Sequence, residues 1–266
     1  MITVVNGIEI GYDDVGPGTG IPLVFAHAFP LNRTMWAPQV SALADRVHCV
    51  AWDYRGLGES AAKGPYTVEQ YADDVAALLD QLHLDKVVFA GCSMGGYVAL
   101  AFWRRHRHRV RALVLADTRA GADTPEGLSK RAEQIAQARN EGATSVANTL
   151  ITGVVGKTTR EKQPDTYDAV HRMMAQAPVE GIVGAIEAMM HRPDSTPLLG
   201  QIDVPTLIVV GDEDVLTPPK DARAMHEQIR GSRLEVIAQA GHLACLERPA
   251  AFNHVLTEFL GALTYS

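Results

Sequence analysis

Four short runs in this chain are almost continuously apolar: Leu23-Val24-Phe25-Ala26, Val47-His48-Cys49-Val50-Ala51-Trp52, Lys86-Val87-Val88-Phe89-Ala90 and Ala112-Leu113-Val114-Leu115-Ala116. A strand with one face in water alternates apolar and polar residues. A strand that does not alternate has both faces covered, which is the condition of a parallel sheet with helices on either side. Thr206–Val210, after Val204-Pro205, reads as a fifth such run and Leu234–Ile237 as a sixth. The segments between them carry helical signals. Thr67 precedes Val68-Glu69-Gln70 with capping-box spacing, and Tyr71, Val75, Leu78, Leu79 and Leu82 then recur on one helical face. Further helices are expected over about Met94–His106, Pro219–Ile229 and Pro249–Leu260. Near the start, Ile2–Val5 and Ile8–Tyr12 flank Asn6-Gly7, a hairpin signal. Strand and helix alternate, so the class is α/β with a mostly parallel sheet.

The alternation breaks once. From about Ala120 to Leu199 no convincing strand occurs, and amphipathic helical stretches fall near Glu126–Asn140, Asp165–Gln176 and Val179–His191. A structureless loop of this length is improbable in a compact domain. The expected organisation is a core formed by residues 1–119 and 200–266, with residues 120–199 inserted as a helical cap. The 266 residues suit one domain with such an insertion.

Composition narrows the function classes. The net charge is −7, which disfavours nucleic acid and anionic membranes as partners. No apolar run approaches the roughly 18 residues of a membrane span, and no basic-then-apolar leader opens the sequence. Cys49, Cys92 and Cys245 show no close-spaced pairing, so neither a disulfide framework nor a zinc knuckle is expected, and a reducing cytoplasm is the expected compartment. The basic run Trp103–Arg111 could bind phosphate or nucleic acid. Its place at the end of a helix, where cations meet the negative dipole end, makes a solvated helix end the better reading. His106 and His108 have no third ligand at convincing spacing, and no phosphate-cradling glycine motif occurs, so neither metal nor cofactor is implied.

Chemistry enters at Gly91-Cys92-Ser93-Met94-Gly95-Gly96, which follows one expected strand and opens one expected helix. A G-x-S-x-G pattern in that context forms a sharp turn that exposes the serine hydroxyl, with first-turn amides aimed at the same point. Serine needs a base. Among the histidines after Ser93, most fall in expected helices, whereas His242 sits in a loop beyond the last strand, in Ala240-Gly241-His242-Leu243. The acid that orients it should leave a strand end between the two. Asp214, in Gly211-Asp212-Glu213-Asp214-Val215-Leu216, lies furthest into its loop beside apolar residues; Asp212 and Asp117 are the alternatives, Asp212 with a turn-capping role as its bland reading. Cys92 faces no obvious base and reads as packing.

These motifs, with His27-Ala28-Phe29-Pro30 and Asp53-Tyr54-Arg55-Gly56-Leu57-Gly58-Glu59-Ser60, resemble the α/β-hydrolase superfamily over the whole chain. The Ser-Met-Gly-Gly form resembles small carboxylesterases, enol-lactonases, perhydrolase-like esterases and C–C bond hydrolases. The resemblance implies an oxyanion hole made by the backbone N–H groups of Phe29 and Met94. Ala28 stands where the family commonly has glycine. The same resemblance gives His27 a structural role, and the Asp53–Ser60 stretch is expected to shape a loop near the site. Trp36, Met173, Met189 and Leu216 are expected to line an apolar substrate pocket, although ordinary packing also accounts for methionines in the cap. The expected function is hydrolysis of small carboxylic esters or lactones through an acyl-enzyme, with an acyl-homoserine lactone as one candidate substrate. C–C bond hydrolysis, perhydrolysis or a small-molecule receptor are the alternatives. The sequence leaves the oligomeric state open.

Overall fold

The computed structural model describes residues 1–18 and 20–263. The elements run in chain order from β1 (Ile2–Val5), β2 (Ile8–Val15) and β3 (Leu23–Ala26) to α1 (Ala37–Leu43) and β4 (Cys49–Trp52). There follow α2 (Val68–Gln81), β5 (Val87–Cys92), α3 (Met94–His106) and β6 (Val110–Ala116). Then come α4 (Pro125–Val154), α5 (Lys157–Lys162), α6 (Pro164–Ala175) and α7 (Val179–Met190). The last are β7 (Thr206–Gly211), α8 (Pro219–Gln228), β8 (Arg233–Ile237), α9 (Ala244–Glu247) and α10 (Pro249–Leu263). One eight-stranded sheet has the order β1-β2-β4-β3-β5-β6-β7-β8. The first two strands pair antiparallel across the Asn6-Gly7 turn, β2 runs antiparallel to β4, and the remaining pairs are parallel.

The unbroken apolar runs do what a doubly covered strand requires. In β3, Val24 and Ala26 enter the core that α2 and α3 cover, while Leu23 and Phe25 enter the opposite core, shared with Trp36 and with Phe252 and Leu256 of α10. Successive side chains point to opposite faces, so one four-residue strand feeds two cores. Thr67 caps α2 as its spacing predicts, its hydroxyl accepting from the Gln70 N–H at 3.0 Å. The basic run at the end of α3 is not merely solvated. Arg104 pairs with Glu69, Arg105 and His106 share Asp73 at 2.7 and 2.8 Å, and Arg109, just past α3, pairs with Asp80 at 2.6 Å, so these side chains fasten the end of α3 to the acidic face of α2.

Between β6 and β7 the chain is helical, as the missing strand pattern predicts, but it holds more helix than the periodicity shows. α4 continues to Val154 past Gly142, whose φ of 82° lies in the left-handed region and breaks the helix into two straight pieces. The second piece, rich in Ser, Thr and Val, has weak helical propensity. It forms because Val146, Ala147, Ile151 and Val154 are buried.

The start of α3 lies against the sheet. A Cβ on Gly95 would fall 2.1 Å from the Ala26 carbonyl oxygen, whereas one on Gly121 would meet nothing within 4 Å. Gly95→Ala is therefore expected to destabilise the fold by about 1–3 kcal/mol, and Gly121→Ala by less than about 0.5 kcal/mol. Urea unfolding midpoints at unchanged m-value check the contrast.

Candidate active site

Three loops leave the carboxyl ends of β5, β7 and β8 and meet. Ser93 sits between β5 and α3 at φ 55°, ψ −113°, a conformation that L-residues hold only when the surroundings impose it. Its N–H donates to the Ala116 carbonyl at 2.9 Å and its own carbonyl accepts the Thr118 hydroxyl at 2.8 Å, so the end of β6 holds the turn. Ser93 Oγ lies 2.7 Å from His242 Nε2, and His242 Nδ1 lies 2.8 Å from Asp214 Oδ2. All three residues are more than nine-tenths buried. Asp214 is saturated with donors: Oδ1 accepts the N–H groups of Leu216 (2.8 Å) and Thr217 (3.0 Å), and Oδ2 accepts the Thr217 hydroxyl (2.8 Å) as well as the imidazole. An ionised carboxylate satisfied on both oxygens can hold one imidazole tautomer and stabilise the imidazolium.

The other two candidate acids do different work. Asp212 Oδ1 accepts the Gln239 N–H at 2.6 Å and caps its turn. Asp117, fully buried at the end of β6, accepts Gly211 N–H on Oδ1 at 2.9 Å and Ala244 N–H on Oδ2 at 3.0 Å. It therefore ties the loop that carries Asp214 to the loop that carries His242. Burial, reinforced by the charge of Asp214, pushes its carboxyl up to about 8.

Glu247 and Thr217 are positioning groups that sequence reasoning missed. Glu247 is buried in α9 and accepts four hydrogen bonds. Oε1 takes the N–H groups of Gly241 (2.9 Å) and Leu243 (3.2 Å) on either side of His242. Oε2 takes the Gly156 N–H (2.8 Å) and the Thr159 hydroxyl (2.6 Å) from the insertion. The His242 N–H donates to Val154 O at 3.1 Å, and Glu213 accepts the Thr158 N–H at 2.7 Å. A carboxylate five residues after a loop histidine offers no sign of such contacts. Thr217, three residues after an aspartate, does carry a turn signal.

Phe29 lies on the loop after β3. His27 orders that loop, donating from Nδ1 to Ala28 O (3.0 Å) while Nε2 accepts the Tyr54 N–H (3.3 Å). Burial lowers the His27 pKa to about 4, so it is neutral. Asp53 holds the next turn, accepting Arg33 N–H at 2.7 Å and Glu59 N–H at 3.0 Å. Met94 opens α3, so its amide is a first-turn donor without an intrahelical acceptor.

A cleft of about 220 Å³ opens over Ser93 and His242. Phe29, Leu150, Val154, Met189 and Leu216 give it an apolar side, and Arg119, Lys130 and Arg131 a basic one. Met189 and Leu216 are thus placed where expected. Trp36 is not: it is fully buried against Phe25 and Phe252, at centroid distances of 4.8 and 6.1 Å, on the core side of its loop. Met173 also lies elsewhere, because its face of α6 turns toward Pro30 and Arg33 and lines a separate hollow. Cys92 is packed, its Sγ 3.8 Å from His242 O. Among the described residues no cluster of His, Cys, Asp or Glu could hold a metal ion, and no helix is long and apolar enough to cross a membrane.

The family model for the alpha/beta hydrolase fold matches residues 21–249. A 3-oxoadipate enol-lactonase from Acinetobacter baylyi is 30% identical over 250 residues, 94% of this chain and 92% of that protein. Among solved structures, a thermophilic esterase from Thermogutta terrifontis with malate bound is 39% identical, with a TM-score of 0.94 over 98% of this chain and 97% of that one. Est816, described as an N-acyl homoserine lactone degrading enzyme, is 29% identical with a TM-score of 0.84, over 97% of this chain and all of that one.

Burial opposes protonation of His242, but the charge and hydrogen bond of Asp214 outweigh it and hold its pKa above the ordinary histidine value. An NMR titration of the imidazole is expected to show a midpoint above about 6.5. Asp214→Asn removes the largest favourable charge, so the midpoint is expected to move to lower pH; an unmoved midpoint contradicts the assignment.

Proposed function

We propose that this chain, which belongs to the α/β-hydrolase family, is a serine hydrolase that opens small carboxylic esters or lactones through an acyl-enzyme. The observation that carries the reading is the hydrogen-bonded line from Ser93 Oγ through His242 to Asp214 at 2.7 and 2.8 Å, at the floor of an open cleft. In this mechanism His242 Nε2 takes the hydroxyl proton as Ser93 Oγ attacks the carbonyl carbon. Asp214 holds Nδ1–H and stabilises the imidazolium. The amides of Phe29 and Met94 receive the oxyanion, a contribution of about 3–4 kcal/mol for each donor of this kind. The imidazolium returns its proton to the departing alkoxide, which in a lactone stays attached as the hydroxyl of the ring-opened acid. Water, activated by the same base, then releases the acyl group from Ser93.

The helices between β6 and β7 serve in this reading as a cap, with Met189 and Leu216 flanking the acyl chain. The modest cleft favours small substrates over polymers and long triglycerides. The enol-lactonase relative and the lactone-degrading structure support lactones beside simple esters, and an acyl-homoserine lactone remains one candidate.

Ser93→Ala is expected to abolish ester hydrolysis with the fold intact, and a phosphonate should label Ser93 in the unaltered protein. Asp214→Asn is expected to lower kcat by a factor on the order of 10⁴, as loss of tautomer control does in such sites. A panel of aryl esters, γ-lactones and acyl-homoserine lactones, followed by acid release and mass detection, tests the substrate range. Esters turned over with no lactone opened reject the lactonase half of the reading. No turnover of any member, with Ser93 still labelled, rejects ester hydrolysis in favour of C–C bond cleavage, perhydrolysis or a receptor role.

A further inference from the structure

The ester mechanism needs only a neutral carbonyl, yet one side of the cleft is strongly basic. Asp123, with 2% of its side chain exposed, is surrounded by three guanidinium groups: Arg119 at 2.6 Å, Arg192 at 2.9 Å and Arg131 at 3.3 Å. Burial alone would raise the Asp123 pKa. The hydrogen bond from Arg192 and the charges of Arg131 and Arg192 instead hold it at about 2, so the aspartate is ionised and cancels one of the three cations. Lys130, exposed on the same wall, adds a fourth cation. This excess of positive charge lies in a chain of net charge −7. Arg192 stacks 4.1 Å over the Tyr97 ring and stays beneath the surface, whereas Arg119 and Arg131 reach the cleft itself.

Only part of each guanidinium is engaged. Among the described residues Arg131 donates through Nε alone, which leaves both Nη groups free, and Arg119 is bonded to Asp123 through Nη2. A guanidinium presents planar paired donors that match a carboxylate, and anchoring by a buried aspartate removes much of the rotamer freedom that binding would otherwise have to restrict. The apolar residues Leu150, Met189 and Leu216 line the same cleft, so an aliphatic spacer and a charged end can be accommodated together.

We infer that the cleft is built for esters or lactones that carry a second, ionised carboxylate, bound by Arg119 and Arg131 and attracted by Lys130. This rests on the hydrolase reading above and adds to it the chemical class of the substrate. The field of this wall draws anionic substrates toward Ser93 in a protein whose overall charge repels them, an effect that salt screens.

The test compares monomethyl glutarate with methyl 4-carbamoylbutanoate, the same ester with a neutral amide in place of the carboxylate. At low ionic strength kcat/KM is expected to favour the acid by about tenfold or more, as a charge-assisted pair provides, with the preference shrinking as salt is added. Arg131→Gln should bring the ratio close to one. Arg131 also holds Asp123, so Lys130→Gln, which breaks no ion pair among the described residues, is the second variant and should lower the ratio and its salt dependence. Equal kcat/KM for the two esters in the unaltered protein, or a preference that survives Arg131→Gln, overturns the inference. If neither ester is turned over, the wider panel of esters and lactones decides the hydrolase reading. Calorimetric titration of glutarate then decides the subsite alone: about tenfold weaker binding in Arg131→Gln upholds it, and equal binding overturns it.

Discussion

Buried carboxylates that accept backbone N–H groups hold this site together. Ser93, Asp214 and His242 come from the ends of strands that are not all neighbours, since β6 lies between β5 and β7. The loops after β7 and β8 share direct hydrogen bonds, Asp212 N–H to Ile237 O at 3.0 Å and Glu213 N–H to Ala240 O at 2.8 Å, and buried carboxylates add to them. Asp117 supplies one clamp, from Gly211 to Ala244, and Glu247 a second, around Gly241 and Leu243. With both in place the histidine loop has little freedom, and the hydrogen-bonded line to Ser93 is set before any ligand arrives. Preorganisation of this kind is what an electrostatic mechanism requires.

The sheet, its parallel strands and the helices that cover it were legible because burial on both faces leaves no alternation in a strand: five such runs became buried strands, while Leu234–Ile237 became the edge strand β8, where Val236 is exposed. The strand–serine–helix turn was legible for a related reason, since its glycines are demanded by backbone contacts that no side chain could allow. Asp214 and His242 followed from their positions at strand ends. What the sequence could not show depended on distant partners. Trp36 reads as a pocket residue next to the Phe29 loop, but three-dimensional packing turns it onto Phe25 and Phe252. Glu247 reads as a helix-end charge, and only the fold brings Gly156 and Thr159 to it. The second half of α4 was hidden because tertiary burial overrides its weak propensity.

Charge is distributed unevenly for a reason that packing explains. The chain is acidic overall, yet five of its arginines gather on buried carboxylates: Arg55 on Asp74, Arg33 on Asp53, and three around Asp123. The first two brace loops at the carboxyl end of the sheet. The third leaves positive charge unspent beside the cleft.

Glu247 also joins parts of the molecule that are far apart in sequence. One of its oxygens holds the histidine loop, and the other holds the Gly156–Thr159 turn of the helical insertion. A single buried side chain is thus the shared anchor of two segments some ninety residues apart in sequence, Gly156–Thr159 and Gly241–Leu243, and any rearrangement of one of them acts on a carboxylate that the other also uses.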